Sequence, residues 1–421
     1  MKHTVKYEGR KFIPSKGTLV ALLLVSMLNC MGGAAVAPAL PQISAAFPEA
    51  SEAIIALIIS LPSLAVAISG LFLGMVADKV GKAKTLVASL ALFTLAGLSG
   101  IFLPTLETIL VSRFVMGIGM AGVATASTAL IADYYDADRQ AHVMGMQSAA
   151  TGLSVLVLEM SGGFLALLGW RVPFYVYAIG IAMIVCVCLF VREPYRDDVD
   201  EGAGETPEDA ANATAALDTA AQKRPAKVEG ATTVLVMCIV LAFLNTTVGF
   251  LIPSKMPYLV ESFGGTAVMS GLFLGAFGLA NIISSLLYAR LVRRFGRFLL
   301  LGAGYALMAI GVLFLGLADN VWMILPGVAI TNLGSGCVLP LLANWLAWIA
   351  TPRTSGRYMG AFSAAINLGQ FFSPIWTSFL LAQSESYGII FIAGAILSAV
   401  LAVFCFIARI VAPGLQNVQA S

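Results

Sequence analysis

Two oppositely charged side chains stand inside long apolar stretches of this sequence. Arg113 and Glu159 each lie about seven residues from the end of such a stretch, which is ~10 Å along a helix. In two antiparallel neighbouring helices the two groups would therefore meet at one depth. A carboxyl group whose distance from an arginine changes can bind and release a proton. The same two residues could equally form a structural ion pair, and the sequence leaves both interpretations open.

Carboxamide side chains are a second group of polar residues within the apolar stretches. In the stretch 357–382, Ser363, Asn367 and Gln370 recur at intervals that place them on one helical face. A polar face on an apolar helix must meet water, a ligand or another helix. Helix–helix hydrogen bonding is the alternative to a cavity for each amide. We expect a ligand cavity lined by Asn29, Asn245, Asn281, Asn332, Asn344, Asn367 and Gln370.

The composition indicates which class of protein must position these groups. Of the 421 residues, 59% are hydrophobic and 11% are charged, against about 45–50% and roughly 25% in soluble domains. This excludes a soluble globular protein and a disordered chain. The net charge of +2 is too small to indicate a nucleic-acid partner. We therefore expect a chain that crosses the lipid bilayer many times.

Twelve apolar runs of about 20 residues are each long enough to cross a bilayer as a helix. No run shows the alternating pattern of a barrel strand, so we predict an all-α membrane protein. The twelve transmembrane helices form two pseudo-symmetric six-helix bundles, 1–191 and 232–421, joined by a linker, 192–231. The helices are expected at 18–40, 53–77, 85–103, 106–131, 141–166, 172–191, 232–253, 267–289, 298–317, 321–348, 357–382 and 387–409.

The basic residues predict the orientation of these helices. With the N-terminus in the cytosol, 21 of the 24 Lys and Arg residues fall on cytosolic segments, and only Arg171 and Lys255 fall on outer ones. This bias predicts that both termini lie in the cytosol. We expect a multi-pass protein of the bacterial inner (cytoplasmic) membrane. The linker 192–231 holds ten acidic and five basic residues. It has too little apolar surface to fold alone, so we expect a cytosolic connector.

The two halves of the chain repeat each other. After a shift of 215 residues, Gly81 falls on Gly296, and Met144 falls on Met359. Because both halves begin on the same side of the membrane, they are parallel repeats. Such repeats are related by an axis along the membrane normal.

The loop after the second predicted helix carries the most specific motif in the chain, formed by Gly74, Asp78, Gly81, Lys82 and Lys84. Their spacing fits G-x-x-x-D-x-x-G-[RK]-x-[RK], which is motif A of the major facilitator superfamily. The sequence resembles this family over nearly its whole length. The P-x-x-P pattern at 38–41 is similar to the end of the first helix in the twelve-helix drug:proton antiporters.

A second, degenerate copy of motif A includes Arg293, Gly296 and Arg297, with Arg293 in place of the acidic residue. The resemblance implies that both copies belong to a gate. It implies that Asp78 latches the outward-facing state. Asp133 is expected to be a second member of the same charge relay.

Motifs B and C of the family also have counterparts here. Arg113 and Gly117 fit motif B, R-x-x-x-G, on the fourth helix. The Gly162–Gly163 pair fits the end of motif C, the antiporter motif of the fifth helix. Glu159 stands where that motif has proline, which places a carboxyl group at a position where the family usually has a kink.

The resemblance implies transport by alternating access. We expect a secondary active transporter, not an enzyme, that exports a small amphipathic organic solute in exchange for protons. We expect a monomer whose partners are this solute, the coupling protons and the lipid bilayer. We expect no cofactor, and no metal because His3 and His142 are too few and too far apart. Two alternatives remain: an importer or exchanger of organic anions held by Arg113, and a solute receptor that does not transport.

Overall fold

The computed structural model of the chain describes residues 5–7, 10–12, 14–28, 31–135, 137–194, 231–351, 354–384 and 386–411. Asn29 and nearly all of the predicted linker 192–231 lie outside these residues.

The N-terminal half begins with a short antiparallel hairpin and continues as helices. Strand β1 (Val5–Tyr7) pairs with β2 (Arg10–Phe12). Short 3-10 helices span Ala37–Ala39 and Val172–Ala178. The α-helices of this half are α1 (Lys16–Met27), α2 (Leu40–Ala46), α3 (Glu52–Val80), α4 (Lys82–Ser99), α5 (Leu106–Tyr134), α6 (Ala137–Ala166) and α7 (Ile179–Phe190).

The C-terminal half repeats this order of helices. A 3-10 helix at Val321–Met323 precedes α12. The α-helices are α8 (Ala231–Gly249), α9 (Leu251–Ser262), α10 (Ala267–Phe295), α11 (Arg297–Gly316), α12 (Ile324–Ile349), α13 (Ser355–Ser384) and α14 (Tyr387–Val411).

Each predicted span corresponds to a helix or to an interrupted pair of helices. Among the described residues, ten helical segments are long and apolar enough to cross a membrane. The other two predicted spans are special cases. The span 18–40 is broken between α1 and α2 and continues to Ala46, while 357–382 corresponds to α13, whose polar stripe lowers its hydropathy.

The predicted span 232–253 ends too early. Its apolar run stops before Lys255, but the helical chain continues through α9 to Ser262. Lys255 therefore lies on a helix and not in the loop expected after the predicted span. A charged residue ends an apolar run in the sequence, yet it remains in the helix here because it has a partner, described below.

Two glycines set the turns at equivalent positions of the two halves. Gly81 (φ +113°) separates α3 from α4, and Gly296 (φ +76°) separates α10 from α11. Positive φ values are accessible to glycine without a steric penalty from Cβ. The glycine shared by the two copies of motif A thus ends one helix and starts the next.

The helices form two bundles that meet along two pairs of helices. Contacts between the bundles run along α6 against α10 and α3 against α13. We call the end of the molecule that carries Lys16, Phe190 and Val411 the terminal face, and the opposite end the distal face. Large apolar side chains cover the outside of the bundles, for example Leu95 at 71% and Ile410 at 78% exposure, as a lipid-facing surface requires.

The bundles are closed against each other at the distal face. A Cβ atom on Gly163 would lie only 2.6 Å from the Ala267 carbonyl oxygen, so α6 and α10 touch through their backbones. At mid-depth the Ser63 hydroxyl donates to Gln370 across the interface, at 2.7 Å. Towards the terminal face, an ideal Cβ on Gly145 has no atom within 4 Å. A Cβ on Gly152, seven residues further along α6, would lie 2.9 Å from Ile282 of α10, so these two helices diverge towards the terminal face.

Candidate functional site

A cavity of about 500 Å³ lies between the two bundles at mid-depth. Helix α6 of the N-terminal bundle forms one wall of the cavity. Helices α8–α10, α12 and α13 of the C-terminal bundle form the other walls. Its polar surface consists of amides and hydroxyls, and its apolar surface includes two phenylalanines. The lining residues are Gln147, Thr151, Gly152, Val155, Asn245, Thr246, Gly249, Phe250, Pro253, Phe277, Gly278, Asn281, Asn332, Ser335, Leu339 and Gln370.

Several of the lining amides are held by hydrogen bonds to their own bundle or to the other one. Gln147 Nε2 donates to Ser26 Oγ at 2.8 Å. Asn332 Nδ2 donates to the Phe277 carbonyl at 2.5 Å. Asn245 Nδ2 donates to Ser335 Oγ at 3.1 Å. These bonds orient the amides before any ligand enters.

The cavity contains four of the seven amides expected there: Asn245, Asn281, Asn332 and Gln370. Asn29 lies outside the described residues. Asn344 and Asn367 are not part of the lining. Their Nδ2 groups donate to the carbonyls of Pro340 and Ser363, each one turn back on its own helix. Asn344 and Asn367 were expected in the cavity because they share a helical face with Asn332 and Gln370, respectively. The cavity occupies only part of each face.

The sequence interpretation missed the wall that α6 contributes. Gln147, Thr151 and Val155 follow at intervals of four residues, and all three line the cavity. Glu159 is the next residue in this series, one further turn towards the distal face. The signal was present as the series Gln147, Thr151, Val155 and Glu159 at intervals of four residues, but Glu159 was interpreted without its neighbours.

The expected pair of Arg113 and Glu159 does not form. Arg113 is fully buried within its own bundle, and its guanidinium donates to the carbonyls of Ala96 at 3.1 Å and Gly97 at 2.8 Å. It lies over the rings of Phe174 and Tyr177, 4.8 and 5.0 Å from their centroids. Equal depth did not bring the two charges together because the two side chains point in different directions from their helices.

Glu159 lies in the contact between the bundles. Its side chain is 4% exposed, and Oε2 is buried without a hydrogen-bond partner in the described part of the chain. A Cβ on Gly271 of α10 would be 2.7 Å from the Glu159 carbonyl oxygen. Residue 159 thus belongs to the tightly packed contact between α6 and α10, one turn beyond the lining residue Val155, and its carboxyl group is buried.

Motif A lies at the terminal face. Lys82 Nζ forms an ion pair with Asp133 at 2.7 Å, so one member of the motif does contact the acid expected to accompany it. Asp78 is exposed, and none of the described residues forms a hydrogen bond or ion pair with it. Gly74 and Lys84 lie on α3 and α4 on either side of the turn at Gly81.

Glu193 is a member of this cluster that the sequence did not indicate. Its carboxylate accepts hydrogen bonds from the backbone N–H groups of Lys82 at 2.5 Å, Ala83 at 2.8 Å and Lys84 at 3.3 Å. It therefore caps the N-terminus of α4, where unpaired N–H groups favour an anion. The Tyr134 hydroxyl also binds the backbone of Arg192 next to it. Nothing in the spacing links residue 193 to residue 82, so only the structure reveals the contact.

The second copy of motif A is built differently. Gly296 makes the turn, and the Arg297 guanidinium lies 5.6 Å from the ring centroid of Trp345 and 5.4 Å from that of Trp348. The side chain of Arg293 lies outside the described part of the structure. Arg297 thus packs against aromatic rings of α12 within the C-terminal bundle.

The distal face carries an ion pair between the bundles. Lys255 of α9 is fully buried, and its Nζ lies 3.1 Å from Glu52 Oε2 at the start of α3. The Tyr387 hydroxyl donates to the other oxygen of the same carboxylate. Tyr258 stacks on Tyr387, with ring centroids 6.1 Å apart, and its hydroxyl donates to the Leu40 carbonyl at 3.4 Å. Three residues of the C-terminal bundle therefore hold the N-terminal bundle at this face.

Curated bacterial proteins are similar to this chain, two of them over almost its whole length. A tetracycline resistance protein, class H, from Pasteurella multocida is 24% identical over 92% of this chain and 96% of its own length. A tetracycline resistance protein, class C, from Escherichia coli is 25% identical over 91% and 95%. A putative tartrate transporter from Agrobacterium vitis is 25% identical over 67% of this chain and 68% of its own.

Solved structures share the fold at low sequence identity. A D-xylose–proton symporter superposes with a TM-score of 0.75 at 18% identity, covering 93% of this chain and 97% of the symporter. A bacterial homologue of the human lysosomal transporter Spinster gives 0.74 at 17% identity, covering 94% and 97%. The sequence profile of the Major Facilitator Superfamily matches residues 22–254 and again 235–420. With two bundles of this fold around a central cavity, the chain belongs to the Major Facilitator Superfamily and is a multi-span membrane transporter, not an enzyme.

Proposed function

We propose that this transporter exports a small amphipathic organic solute from the cytosol in exchange for protons, by alternating access. The observation that carries the proposal is the amide-lined cavity, closed at the distal face by the α6–α10 contact and open at the terminal face. The bias of the basic residues supports a cytosolic position for the terminal face. The conformation described here is then the inward-facing one, ready to take up solute from the cytosol.

Glu159 is the proposed proton carrier. It continues the cavity-facing series of α6 but lies inside the distal seal. When the distal face opens, α6 separates from α10, and the carboxyl group becomes accessible from the outside. When the face closes again, the group is withdrawn from the outside. A single side chain thereby alternates its accessibility together with the solute cavity, as proton-coupled exchange requires.

The energy of the proton gradient is sufficient for this exchange. One proton carries ~2.3 kcal/mol per 100 mV of membrane potential and ~1.4 kcal/mol per pH unit. About 3 kcal/mol sustains a roughly hundredfold solute gradient. The direction of transport is supported by the relatives named as tetracycline resistance proteins, which match almost the whole chain.

The gate proposal for Asp78 is compatible with this conformation. Its carboxylate is exposed at the open terminal face. A residue that latches the outward-facing state should have its partner only when the terminal face is closed. In the conformation described here, the Lys82–Asp133 ion pair and the helix cap from Glu193 hold the motif A loop in position.

The anion importer is the second candidate, favoured by the relatives named as putative tartrate transporters. The position of Arg113 weighs against it. The guanidinium that was expected to hold a carboxylate is enclosed in the N-terminal bundle and bound to two backbone carbonyls. An anion in the cavity would therefore have to find another cation.

The test uses the purified protein in sealed vesicles that contain a pH-sensitive dye. A thermal-shift screen against metabolites and drugs first supplies a solute. Adding this solute should then move protons in the direction opposite to solute movement. Proton movement in the same direction would identify a symporter, and solute binding without flux would identify a receptor. Cysteines placed at Ala203 and Gln383 test the sidedness, since they should react with an impermeant thiol reagent from opposite sides of the membrane.

A further inference from the structure

We infer that the cavity selects uncharged solutes that carry several hydroxyl groups, holds them mainly on the C-terminal bundle, and excludes anions. This inference names the ligand class of the cavity and rests on the proposed function only in assuming that the cavity is a solute site.

The first argument is the charge of the cavity. None of the described lining residues is acidic or basic. Two buried cations outside the lining are engaged elsewhere: Arg113 with backbone carbonyls and aromatic rings, and Lys255 with Glu52. An anion entering this cavity would lose water without gaining a counter-charge, which is strongly unfavourable.

The second argument is the orientation of three amides. Gln147 and Asn332 each use their amino group on a protein acceptor, and no described residue binds the carbonyl oxygen of either. Gln370 is reversed, because its carbonyl oxygen accepts from Ser63, so its amino group remains for a ligand. Two lining amides thus have a carbonyl oxygen, and a third has an amino group, that no described residue binds.

Hydroxyl groups match this arrangement because each one both donates and accepts a hydrogen bond. A carboxylate can only accept, so it would leave the two amide oxygens without a donor. A quaternary ammonium has no donor at all. Polar groups fixed in advance favour the ligand that satisfies them, because no ordering cost is added on binding.

The third argument is the unequal share of the two bundles. Of the 16 lining residues, four belong to α6 and 12 belong to the C-terminal bundle. Phe250 and Phe277 of this bundle supply apolar surface for the carbon skeleton of the ligand. The C-terminal bundle should therefore keep most ligand contacts while the N-terminal bundle moves away from it.

The first arm of the test measures the charge selectivity of the cavity without any known substrate. Cysteine replaces Thr246 in a chain whose native cysteines are changed to serine. Its reaction rates with neutral, cationic and anionic methanethiosulfonate reagents are each divided by the rate with a small free thiol. We expect the anionic reagent to be at least tenfold slower than the neutral one. Gly145→Cys, near the open end of the same space, serves as the control and should discriminate far less.

The second arm measures ligand class by the melting temperature of the purified protein. Three probe sets are compared: pentoses, hexoses and their glycosides; tartrate and other hydroxycarboxylates; and quaternary ammonium compounds. We expect stabilisation by members of the first set only. Asn332→Ala and Gln370→Ala should weaken that binding at least tenfold, whereas Asn344→Ala, on the same helix but outside the lining, should leave it within twofold.

Three results would overturn the inference: equal normalised rates for the anionic and neutral reagents at Thr246→Cys, stabilisation by the carboxylates, or no stabilisation by any neutral probe. Failure of the proposed function looks different. A neutral probe that binds, loses affinity in Gln370→Ala and yet is not transported would refute transport while leaving the ligand class intact.

Discussion

Lys255 Nζ of the C-terminal bundle lies 3.1 Å from Glu52 Oε2 of the N-terminal bundle, with the lysine side chain 0% and the glutamate side chain 23% exposed. The two residues are 203 positions apart in the sequence. They join α3 to α9 at the distal face, where the cavity is sealed. Opening this face must separate them.

The first prediction concerns this ion pair. Glu52→Gln removes one charge and leaves Lys255 buried without a counter-ion, so the closed distal face should lose stability. We expect a cysteine at Ser270, which is 2% exposed here, to react several-fold faster with an impermeant thiol reagent added from outside. Glu49→Gln, an exposed neighbour, is the matched control. Exchange of the charges in Glu52→Lys with Lys255→Glu should slow the reaction again. An unchanged labelling rate in Glu52→Gln would show that the Glu52–Lys255 ion pair does not help to close the distal face.

The second prediction concerns Asp78. Asp78→Asn keeps the shape of the side chain but removes the charge proposed to latch the outward-facing state. We expect normal insertion and melting temperature, because no described residue is bound to Asp78 in this conformation, with transport reduced to a small fraction. Solute flux in vesicles is the measurement, and Asp319→Asn, an exposed acid at the distal face, is the control. Wild-type kinetics in Asp78→Asn would leave the residue without a gating role.

The third prediction concerns Glu193. Glu193→Ala deletes the acceptor for three N–H groups at the start of α4, a loss of about 1 kcal/mol for a helix cap. We expect a lower melting temperature and faster proteolysis of the loop at Gly81. Glu193→Gln, which retains a neutral acceptor, should lose less than the alanine variant, and Glu107→Ala, at the other end of the bundle, should have little effect. Equal melting temperatures for all three would show that the cap contributes nothing to stability.

The fourth prediction separates Glu159 from Arg113. Glu159→Gln should abolish uphill transport while downhill exchange survives, and it should not destabilise the protein by stranding a buried arginine, because Arg113 has other partners. Arg113→Gln should lower the melting temperature through the lost bonds to Ala96 and Gly97. In the double variant the two stability changes should add to within about 0.5 kcal/mol, as for sites that do not touch. A double variant that regains both stability and proton-driven transport would instead support a structural ion pair between Arg113 and Glu159.

The positions of the spans and turns were predictable from the sequence because they depend on local properties. Apolar length defined the helices, and a glycine repeated after 215 residues marked both turns, Gly81 and Gly296. Four of the expected amides do lie in the cavity, since one helical face was enough to group Asn332 and Gln370 with the interior.

The contacts between distant segments were not predictable in the same way. The sequence indicated the depth of Arg113 and Glu159 along their helices, but it did not indicate the direction in which each side chain leaves its helix. That direction determines which residues each side chain contacts. Lys255 was assigned to a loop because its charge ended an apolar run, while its partner Glu52 lies in the other half of the chain. The contacts of Glu193 were not predictable for the same reason, because its three hydrogen-bond donors are more than a hundred residues away in the sequence.

The backbone contact between Gly163 and Gly271 has a practical consequence. A Cβ on Gly163 would lie 2.6 Å from the Ala267 carbonyl oxygen, and one on Gly271 would lie 2.9 Å from Gly163 Cα. The two helices can approach this closely only because both residues are glycines without a Cβ atom. Any side chain added here would push the helices apart. We expect a methyl group at either position to force α6 and α10 apart and to favour the conformation that is open at the distal side. Such wedge variants offer a way to capture the opposite conformer for structure determination or for raising conformation-specific antibodies.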